Sequence, residues 1–382
     1  MISTNKIDKI QTPFYFYDTA LLKSTLNAII SETQHNPQFC VHYAVKANAK
    51  KEILSIIAKA GLGADCVSGG EIRACVEAGF DPSKIVYAGV GKCDWEIELA
   101  LDYNIACFNV ESLPELEVIN DIAQRKGKIA NVAIRVNPNV DAHTHEKITT
   151  GLEENKFGIS VNDLPKIIGK AQSLQSVAFV GLHFHIGSQI TNMEVFENLC
   201  MQISNIVEDI QKKIPIQNIN VGGGLGINYD EPESALIPDF RSYFSIFERN
   251  IRLSPKQSLH FELGRSIVGQ MGTLVTKVLY VKKGSKKNFL IVDAGFTDLI
   301  RPALYQSKHK ILNITSTKQN SEVYDVVGPI CESSDVFAEG IQLPESKRGD
   351  YIVIESAGAY GEVMASTYNC RTLIKGYCDF EL

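Results

Sequence analysis

The sequence contains no apolar run of about 18 residues, which a membrane-spanning helix requires, and its first residues lack the apolar core of a signal peptide. Its nine cysteines include no Cys-x-x-Cys pair, which argues against a disulfide framework or a zinc site. The net charge is −6 and no long basic run occurs, so neither nucleic acid nor a membrane is a predicted partner. We therefore expect a cytoplasmic protein with free thiols.

A repeating order of strands and helices predicts the fold of the first two thirds of the chain. Eight apolar or β-branched runs alternate with segments of helical periodicity, which indicates parallel βα units. Eight such units close into a (β/α)8 barrel of the TIM type. An open doubly wound sheet is disfavoured because no Gly-x-Gly-x-x-Gly turn follows the first run. The predicted strands lie at residues 39–47, 63–68, 84–89, 105–110, 131–137, 178–187, 218–222 and 258–263.

The pattern of predicted elements changes near Gly269, where strand-like runs are separated by short turns instead of long helices. This pattern predicts a mostly β C-terminal domain. A short aromatic strand near the start of the chain is assigned to the same domain. The predicted division is a barrel at residues 22–268 and a β-rich domain made of residues 1–21 and 269–382.

Lys46 stands at the end of the first predicted barrel strand, and catalytic groups of such barrels lie at the C-terminal strand ends. Burial disfavours the ammonium form, so a lysine at this place tends towards the neutral amine that attacks carbonyl carbons. The alternative is a lysine that emerges into solvent at the end of the strand.

Three other strand ends carry candidate groups. The glycines 222–224 follow the seventh strand, where backbone N–H groups of barrels often bind a phosphate, and Arg265 follows the eighth. Glu262 could pair with a pyridine nitrogen. With Lys46 these residues indicate pyridoxal phosphate. His183 and His185 share one face of the sixth strand, with His185 expected against the cofactor ring. The alternatives are a flexible glycine turn and a zinc site at His-x-His, and we predict no metal.

Several motifs, in the same order along the chain, resemble the fold-type III pyridoxal-phosphate-dependent decarboxylases. Within that group the similarity is greatest to members that act on diaminopimelate. The resemblance implies an alanine racemase-like arrangement, in which a β-rich domain completes the active site and the dimer interface. The motifs are Tyr43 to Asn48, His183 to Gln189, Gly222 to Gly224, Glu262 to Arg265, Gly328 to Asp335, and Tyr368 with Asn369.

The resemblance also implies roles for individual residues. Lys46 would form the Schiff base, and Cys331 or Lys46 would return a proton to the product. Cys331 and Glu332 would enter the neighbouring subunit's site, so the resemblance implies a homodimer with shared active sites. The implied cofactor-binding residues are Lys46, His185, Ser188, Gly222, Gly223, Gly224, Glu262, Arg265 and Tyr368, and the implied substrate-binding residues are Arg265, Arg301, Tyr305, Glu332 and Tyr368.

The expected reaction is the decarboxylation of meso-2,6-diaminopimelate to L-lysine and carbon dioxide. A guanidinium such as that of Arg301 can grip the far carboxylate of this substrate in bidentate fashion, although a surface position for Arg301 is the alternative. Decarboxylation of carboxynorspermidine, ornithine or arginine, racemisation of an amino acid, and simple storage of the cofactor remain open. Leu263 departs from the family, which has proline there, and a local backbone difference is expected.

Overall fold

A computed structural model describes residues 7, 9–138 and 156–381 of the chain. By their internal contacts the residues form two units. The barrel unit comprises Thr25–Gly226 and Asp239–Gly264. The β-rich unit comprises Met1–Ser24, Ile227–Pro238 and Arg265–Leu382.

Eight parallel strands of the barrel unit form a closed sheet. Their order is β5-β4-β3-β2-β10-β9-β8-β6, and pairing of β5 with β6 closes the ring. A two-residue strand, β7 (Ile159–Ser160), extends from β6. The eight strands are β2 (Phe39–Ala44), β3 (Gly63–Cys66), β4 (Ile85–Tyr87), β5 (Cys107–Val110), β6 (Ala130–Asn137), β8 (Val177–His183), β9 (Asn218–Asn220) and β10 (Ser258–Leu263).

Local signals in the sequence set the ends of the helices. Ser68 and Ser112 each accept a hydrogen bond at a helix start, from the N–H of Glu71 and of Glu115 respectively. Gly79 ends one helix with a φ of +99°, a conformation that glycine adopts without strain. The longer helices are Thr19–Thr33, Lys51–Lys59, Gly69–Ala78, Asp94–Tyr103, Leu113–Arg125, Leu164–Ser173, Glu194–Gln211 and Phe240–Asn250.

The β-rich unit is built on one sheet of eight strands. Its main path runs β13-β16-β11-β12-β14-β15, while β1 pairs with both β11 and β17. Two short helices, Arg265–Val268 and Arg301–Tyr305, belong to this unit. The strands are β1 (Phe14–Tyr17), β11 (Gly272–Lys283), β12 (Asn288–Val292), β13 (Ile311–Asn313), β14 (Ser321–Val327), β15 (Val336–Pro344), β16 (Tyr351–Ile354) and β17 (Gly376–Cys378).

The structure confirms the predicted barrel with a mostly β second domain, and it corrects several boundaries. β8 ends at His183, so His185 lies in the following loop and not on the strand. Lys46 likewise lies in a 3₁₀ turn, Val45–Ala47, beyond the end of β2. The strand-like runs expected beyond Gly269 lie at residues 273–281, 288–292, 322–327 and 350–354 and correspond to β11, β12, β14 and β16, whereas β13, β15 and β17 were not expected. Within the described part of the chain, no helix combines the length and apolarity needed to span a membrane.

Candidate active site

Lys46 directly follows β2 at the C-terminal end of the barrel strands. Its side chain is 39% exposed, and its Nζ lies 3.7 Å from the buried carboxylate of Asp65 on β3. Burial, reinforced by the charge of Glu262, raises the pKa of Asp65 above its usual range, while the charge of Lys46 opposes that rise. The expectation of a buried lysine is therefore wrong. Lys46 instead lies partly exposed beside the carboxyl group of Asp65.

The glycine run after β9 requires glycine for steric reasons. The φ angles of Gly222 and Gly224 are +71° and +114°, which disfavour other residues. A side chain at Gly222 would meet the His185 ring at 2.7 Å, and one at Gly223 would collide with the carbonyl oxygen of Glu262. The N–H of Ile190 donates to the carbonyl of Gly224 over 2.8 Å. The loop after β8, which carries His185 and Ser188, thus lies against the glycine run.

Two of the three glycine N–H groups bond to the protein itself. The N–H of Gly222 donates to Oδ1 of Asn220 over 2.9 Å, and that of Gly223 donates to Nδ1 of His185 over 3.2 Å. The glycines therefore permit a close approach of three backbone segments, and binding of a phosphate by their N–H groups remains a prediction.

Glu262, on β10, accepts hydrogen bonds from three buried side chains. Asn220 and Asn109 donate to its Oε1 over 2.7 and 3.2 Å, and Nε2 of His183 lies 3.0 Å from its Oε2. Burial alone would raise the pKa of Glu262, but the adjacent His183 and the charge of Lys46 hold the pKa well below its usual range. The barrel unit thus keeps a buried, ionised carboxylate at its centre.

His185 and His183 have different surroundings, which does not suit a shared metal ion. His183 bonds to Glu262, whereas Nδ1 of His185 accepts from the glycine run. Burial, together with the charges of Arg135 and Lys46, lowers the pKa of His185 well below its usual value, so this ring is neutral at neutral pH. Among the described residues, no group of three metal-ligating side chains occurs.

Two arginines in the β-rich unit form a cationic cluster around one tyrosine. Arg265 and Arg301 are both buried, at 5% and 4% exposure. Arg265 donates to the hydroxyl of Tyr229 over 2.6 Å, and the Arg301 guanidinium lies 5.1 Å from the centre of the same ring. Tyr360 lies 4.9 Å from the Arg265 guanidinium. The alternative of a surface arginine at position 301 is therefore excluded.

Arg301 begins the helix Arg301–Tyr305, which also carries the half-buried Tyr305. Within the described residues Arg301 forms no salt bridge, and its Nε has no hydrogen-bond partner. Burial lowers the pKa of Arg301, and the nearby charge of Arg265 lowers it further. Two buried guanidinium groups side by side favour binding of an anion.

A loop of the β-rich unit displays Cys331 and Glu332 on the surface of the chain. Asp335 shapes this loop by accepting hydrogen bonds from the N–H groups of Ile330 and Phe296 over 2.7 and 2.6 Å. The hydroxyl of Tyr368, a residue that is 46% exposed, donates to Oε1 of Glu332 over 2.6 Å. This hydrogen bond raises the pKa of Tyr368. These three predicted site residues therefore lie together and remain accessible.

Comparison with known proteins identifies the family. Residues 23–269 match the family described as pyridoxal-dependent decarboxylase, pyridoxal binding domain. A diaminopimelate decarboxylase of Bacteroides thetaiotaomicron is 59% identical over 379 residues, which cover 99% of this chain and 98% of the relative. The chain belongs to the pyridoxal-dependent decarboxylases. The family resemblance read from the motifs is thereby confirmed.

A sequence match and a crystal structure from Helicobacter pylori add to the comparison for this decarboxylase. A diaminopimelate decarboxylase from that organism is 43% identical over 364 residues, which cover 94% of this chain and 88% of the relative. A crystal structure of the Helicobacter pylori enzyme, complexed with L-lysine, matches with a TM-score of 0.92 and 40% identity. That match covers 98% of this chain and 93% of the other. The expected class, a pyridoxal-phosphate-dependent carboxy-lyase, is confirmed.

The side chains of the barrel unit fit pyridoxal phosphate. The buried Glu262 is ionised, as a partner for a pyridinium nitrogen must be. Lys46 supplies a partly exposed amine at the end of the barrel.

No sequence signal pointed to Tyr229, Asn220 or Asn109. Tyr229 lies in a loop without a recognisable motif. Asn109 lies in the otherwise mostly apolar β5, and Asn220 ends the three-residue β9, whose sequence is Asn-Ile-Asn. Leu263, the departure from the family pattern, is fully buried and pairs with Tyr43 in the barrel ladder, so β10 continues to that residue.

Proposed function

We propose that this chain decarboxylates meso-2,6-diaminopimelate to L-lysine and carbon dioxide with pyridoxal phosphate. The observation that carries this proposal is the buried Arg301, which lies beside Arg265 and forms no salt bridge among the described residues. A second carboxylate distinguishes diaminopimelate from ornithine, arginine and lysine, and a buried guanidinium recognises such a group. The names of the relatives support the same substrate.

In the proposal, the barrel residues hold the cofactor. Lys46 would attach it covalently, Gly222 to Gly224 with Ser188 and Arg265 would bind its phosphate, and the neutral His185 would lie against its ring. Glu262 would face the ring nitrogen, and Tyr368 would reach the cofactor from the β-rich domain. When bound, pyridoxal phosphate supplies a carbonyl group that joins an amine and a ring that withdraws electrons from the α-carbon.

The remaining proposed residues act on the substrate. Arg301 and Tyr305 would bind the far carboxylate, and Glu332 would bind the far ammonium group. Breaking the bond to the near carboxylate releases carbon dioxide and leaves the electron pair on the α-carbon, which must then receive one proton. Cys331 and Lys46 are the two proposed donors of that proton.

The surface position of Cys331, Glu332 and Tyr368 supports a homodimer in which each subunit completes the other's site. We further propose a barrel domain at residues 22–268, with residues 1–21 and 269–382 as the β-rich domain. All nine cysteines are free thiols, which supports a cytoplasmic location.

The test is carbon dioxide release from meso-diaminopimelate, L-ornithine, L-arginine and carboxynorspermidine, each with added pyridoxal phosphate. We expect release from diaminopimelate, reduced by at least about 10³-fold in Lys46→Ala, because this change removes both the amine and a proton carrier. Lys51→Ala, at an exposed position of the next helix, is the matched control and should retain activity. Release from a polyamine precursor instead would contradict the assigned substrate while leaving the cofactor intact.

The proposed homodimer is tested by light scattering and, once Lys46→Ala and Cys331→Ala have each been shown to lose activity, by mixing these two variants. Activity should return on mixing if Lys46 and Cys331 of different subunits serve one site. A monomeric mass, or no recovery on mixing, would contradict shared sites.

A further inference from the structure

The Asn220 side chain bonds at both ends to groups proposed to hold the cofactor. Its Nδ2 donates to Oε1 of Glu262 over 2.7 Å, and its Oδ1 accepts from the N–H of Gly222 over 2.9 Å. Asn220 is 4% exposed, so water does not compete for these bonds. A carboxylate only accepts and a backbone N–H only donates, so the two partners fix which way the amide points.

The barrel ladder fixes the position of this amide. Asn220 ends β9 and pairs with His183 on β8 and with His260 on β10. Its carbonyl oxygen accepts from the N–H of Phe184 over 2.7 Å, and the N–H of Glu262 donates to the carbonyl of Gly222 over 2.8 Å. The side chain and backbone of Asn220 thus connect three successive strand ends.

We propose that Asn220 is a positioning residue that holds the Glu262 carboxylate and the glycine run at a fixed separation for the bound cofactor. The inference rests on the proposed function, because it requires Glu262 to meet the ring nitrogen and the glycines to meet the phosphate. The ring nitrogen and the carbon that carries the phosphate arm belong to one rigid ring. A single amide that ties both contacts together therefore presets the position of the ring before it binds.

Substitution of Asn220 by aspartate removes only one of its two hydrogen bonds, whereas substitution by alanine removes both. Asn220→Asp keeps an acceptor for the Gly222 N–H but replaces the donor towards Glu262 with a second carboxylate. Two carboxylates in contact disfavour each other's ionised form, so the ionised form of Glu262 opposite the ring nitrogen would be less favoured. Asn220→Ala removes both bonds and leaves a small cavity. Asn218→Ala is the matched control, since Asn218 lies two residues earlier on β9 and bonds to Ser258 over 3.1 Å.

The experiment compares holoenzymes of these variants by three readouts: the visible absorption of the bound cofactor against pH, the dissociation constant for pyridoxal phosphate, and kcat with KM. For Asn220→Asp we expect kcat to fall about 10- to 100-fold, the range found for partners that orient a functional ligand, with KM nearly unchanged. The absorption of the cofactor should titrate at a shifted pH. Asn220→Ala should weaken cofactor binding, while Asn218→Ala should match the wild type.

A double-variant cycle separates positioning from general stability. In a Glu262→Gln background, Asn220→Asp should reduce kcat much less than in the wild type, because both changes act through the same carboxylate. A full additional loss of kcat, or an Asn220→Asp holoenzyme with wild-type absorption, affinity and kcat, would overturn the proposal. If the wild type binds cofactor but does not decarboxylate diaminopimelate, the proposed function fails, and the absorption and affinity readouts still decide the role of Asn220.

Discussion

The two units each bury charged groups, but they balance them differently. In the barrel unit, the Glu262 carboxylate has hydrogen bonds from Asn109 and Asn220 and a close contact with His183. In the β-rich unit, Arg301 has the face of Tyr229 beside it and forms no salt bridge among the residues that the structure describes. One buried charge is therefore compensated by hydrogen bonds of the fold, whereas the other has an aromatic ring beside it.

This difference indicates which charge is compensated within the protein and which would be compensated by a bound ligand. A buried ion is costly unless hydrogen bonds or an opposite charge compensate it. Glu262 has such compensation before any ligand binds, so its ionised state belongs to the protein. Arg301 gains most from an incoming anion, and the proposed partner is the far carboxylate of diaminopimelate.

Among the substitutions that test this comparison, removal of the uncompensated charge is expected to have the largest effect. For Arg301→Met we expect a loss of about 2–5 kcal/mol of binding to diaminopimelate, typical of truncating one partner of a buried charge pair. This loss should lower kcat/KM at least about 30-fold, since every 1.4 kcal/mol is a factor of ten. Any slow release of carbon dioxide from L-ornithine should be unaffected. Arg301→Lys should be intermediate, because it keeps the charge but loses the planar fork.

The same variant should behave differently in stability measurements without ligand. Arg301→Met is expected to leave the free energy of unfolding unchanged or to raise it, because a buried charge is replaced by an apolar chain. Glu262→Met should lower the free energy of unfolding by several kcal/mol, because its three donors lose their acceptor. Equal destabilisation by both changes in denaturant titrations would contradict the contrast between the two charges.

Much of the fold could be predicted from the sequence, because the number of apolar runs that alternate with helical segments predicts the number of βα units in a barrel. Lys46, Glu262 and Gly222 to Gly224 were selected as candidates because all of them stand at predicted strand ends, and their roles stay predictions. The end of β8 was misplaced because Phe184 and Ile186 continue the apolar alternation, although the chain leaves the strand after His183.

Other members of the candidate site could not be found from local patterns. Asn109 and Asn220 face a polar barrel interior, and a single polar residue in a short strand does not reveal which face is the inner one. Tyr229 meets Arg265 and Arg301 only after distant segments fold together. Cys331, Glu332 and Tyr368 are accessible residues whose roles came from family resemblance alone, since exposure gives no chemical signal.

Acid provides a second comparison between the units, through one buried histidine in each. Burial and the adjacent His42 lower the pKa of His260 to about 3 in the barrel unit. Burial and the charges of Arg301 and Arg265 lower the pKa of His309 to about 3 in the β-rich unit, despite a hydrogen bond to the Glu355 carbonyl. Each folded-state pKa lies below the unfolded value of about 6.5. The stability contributed by each histidine is therefore fully present above pH 6.5 and is lost as the pH falls from 6.5 towards 3.

We therefore expect each histidine to lower the free energy of unfolding by up to about 1.4 kcal/mol for each pH unit below pH 6.5. His309→Asn should remove that contribution, as it retains a donor for the Glu355 carbonyl. Denaturant titrations from pH 7 to pH 5 measure the slope, with the surface variant His35→Asn as control. Arg301→Met should raise the pKa of His309 and leave that of His260 unchanged. An unchanged slope in His309→Asn would contradict the assigned neutral state.

The smallest expected effect tests how the arginine cluster is held. Tyr229→Phe keeps the aromatic ring beside Arg265 and Arg301 but removes the hydroxyl that accepts from Arg265 over 2.6 Å. A hydrogen bond to a charged group contributes about 1.5–3 kcal/mol, and a water molecule or a bound anion can replace part of it, so we expect about a tenfold rise in the dissociation constant for pyridoxal phosphate.

The KM for diaminopimelate should change less than the affinity for the cofactor, because the ring that supports Arg301 remains. Tyr229→Leu, which removes the ring as well, should raise both the dissociation constant for pyridoxal phosphate and the KM for diaminopimelate. Its kinetics should therefore resemble those of Arg301→Met more closely. Equilibrium titration with pyridoxal phosphate and steady-state kinetics give the two constants. If Tyr229→Phe and Tyr229→Leu behave alike, the hydroxyl alone organises the cluster, and the aromatic face does not stabilise the uncompensated charge of Arg301.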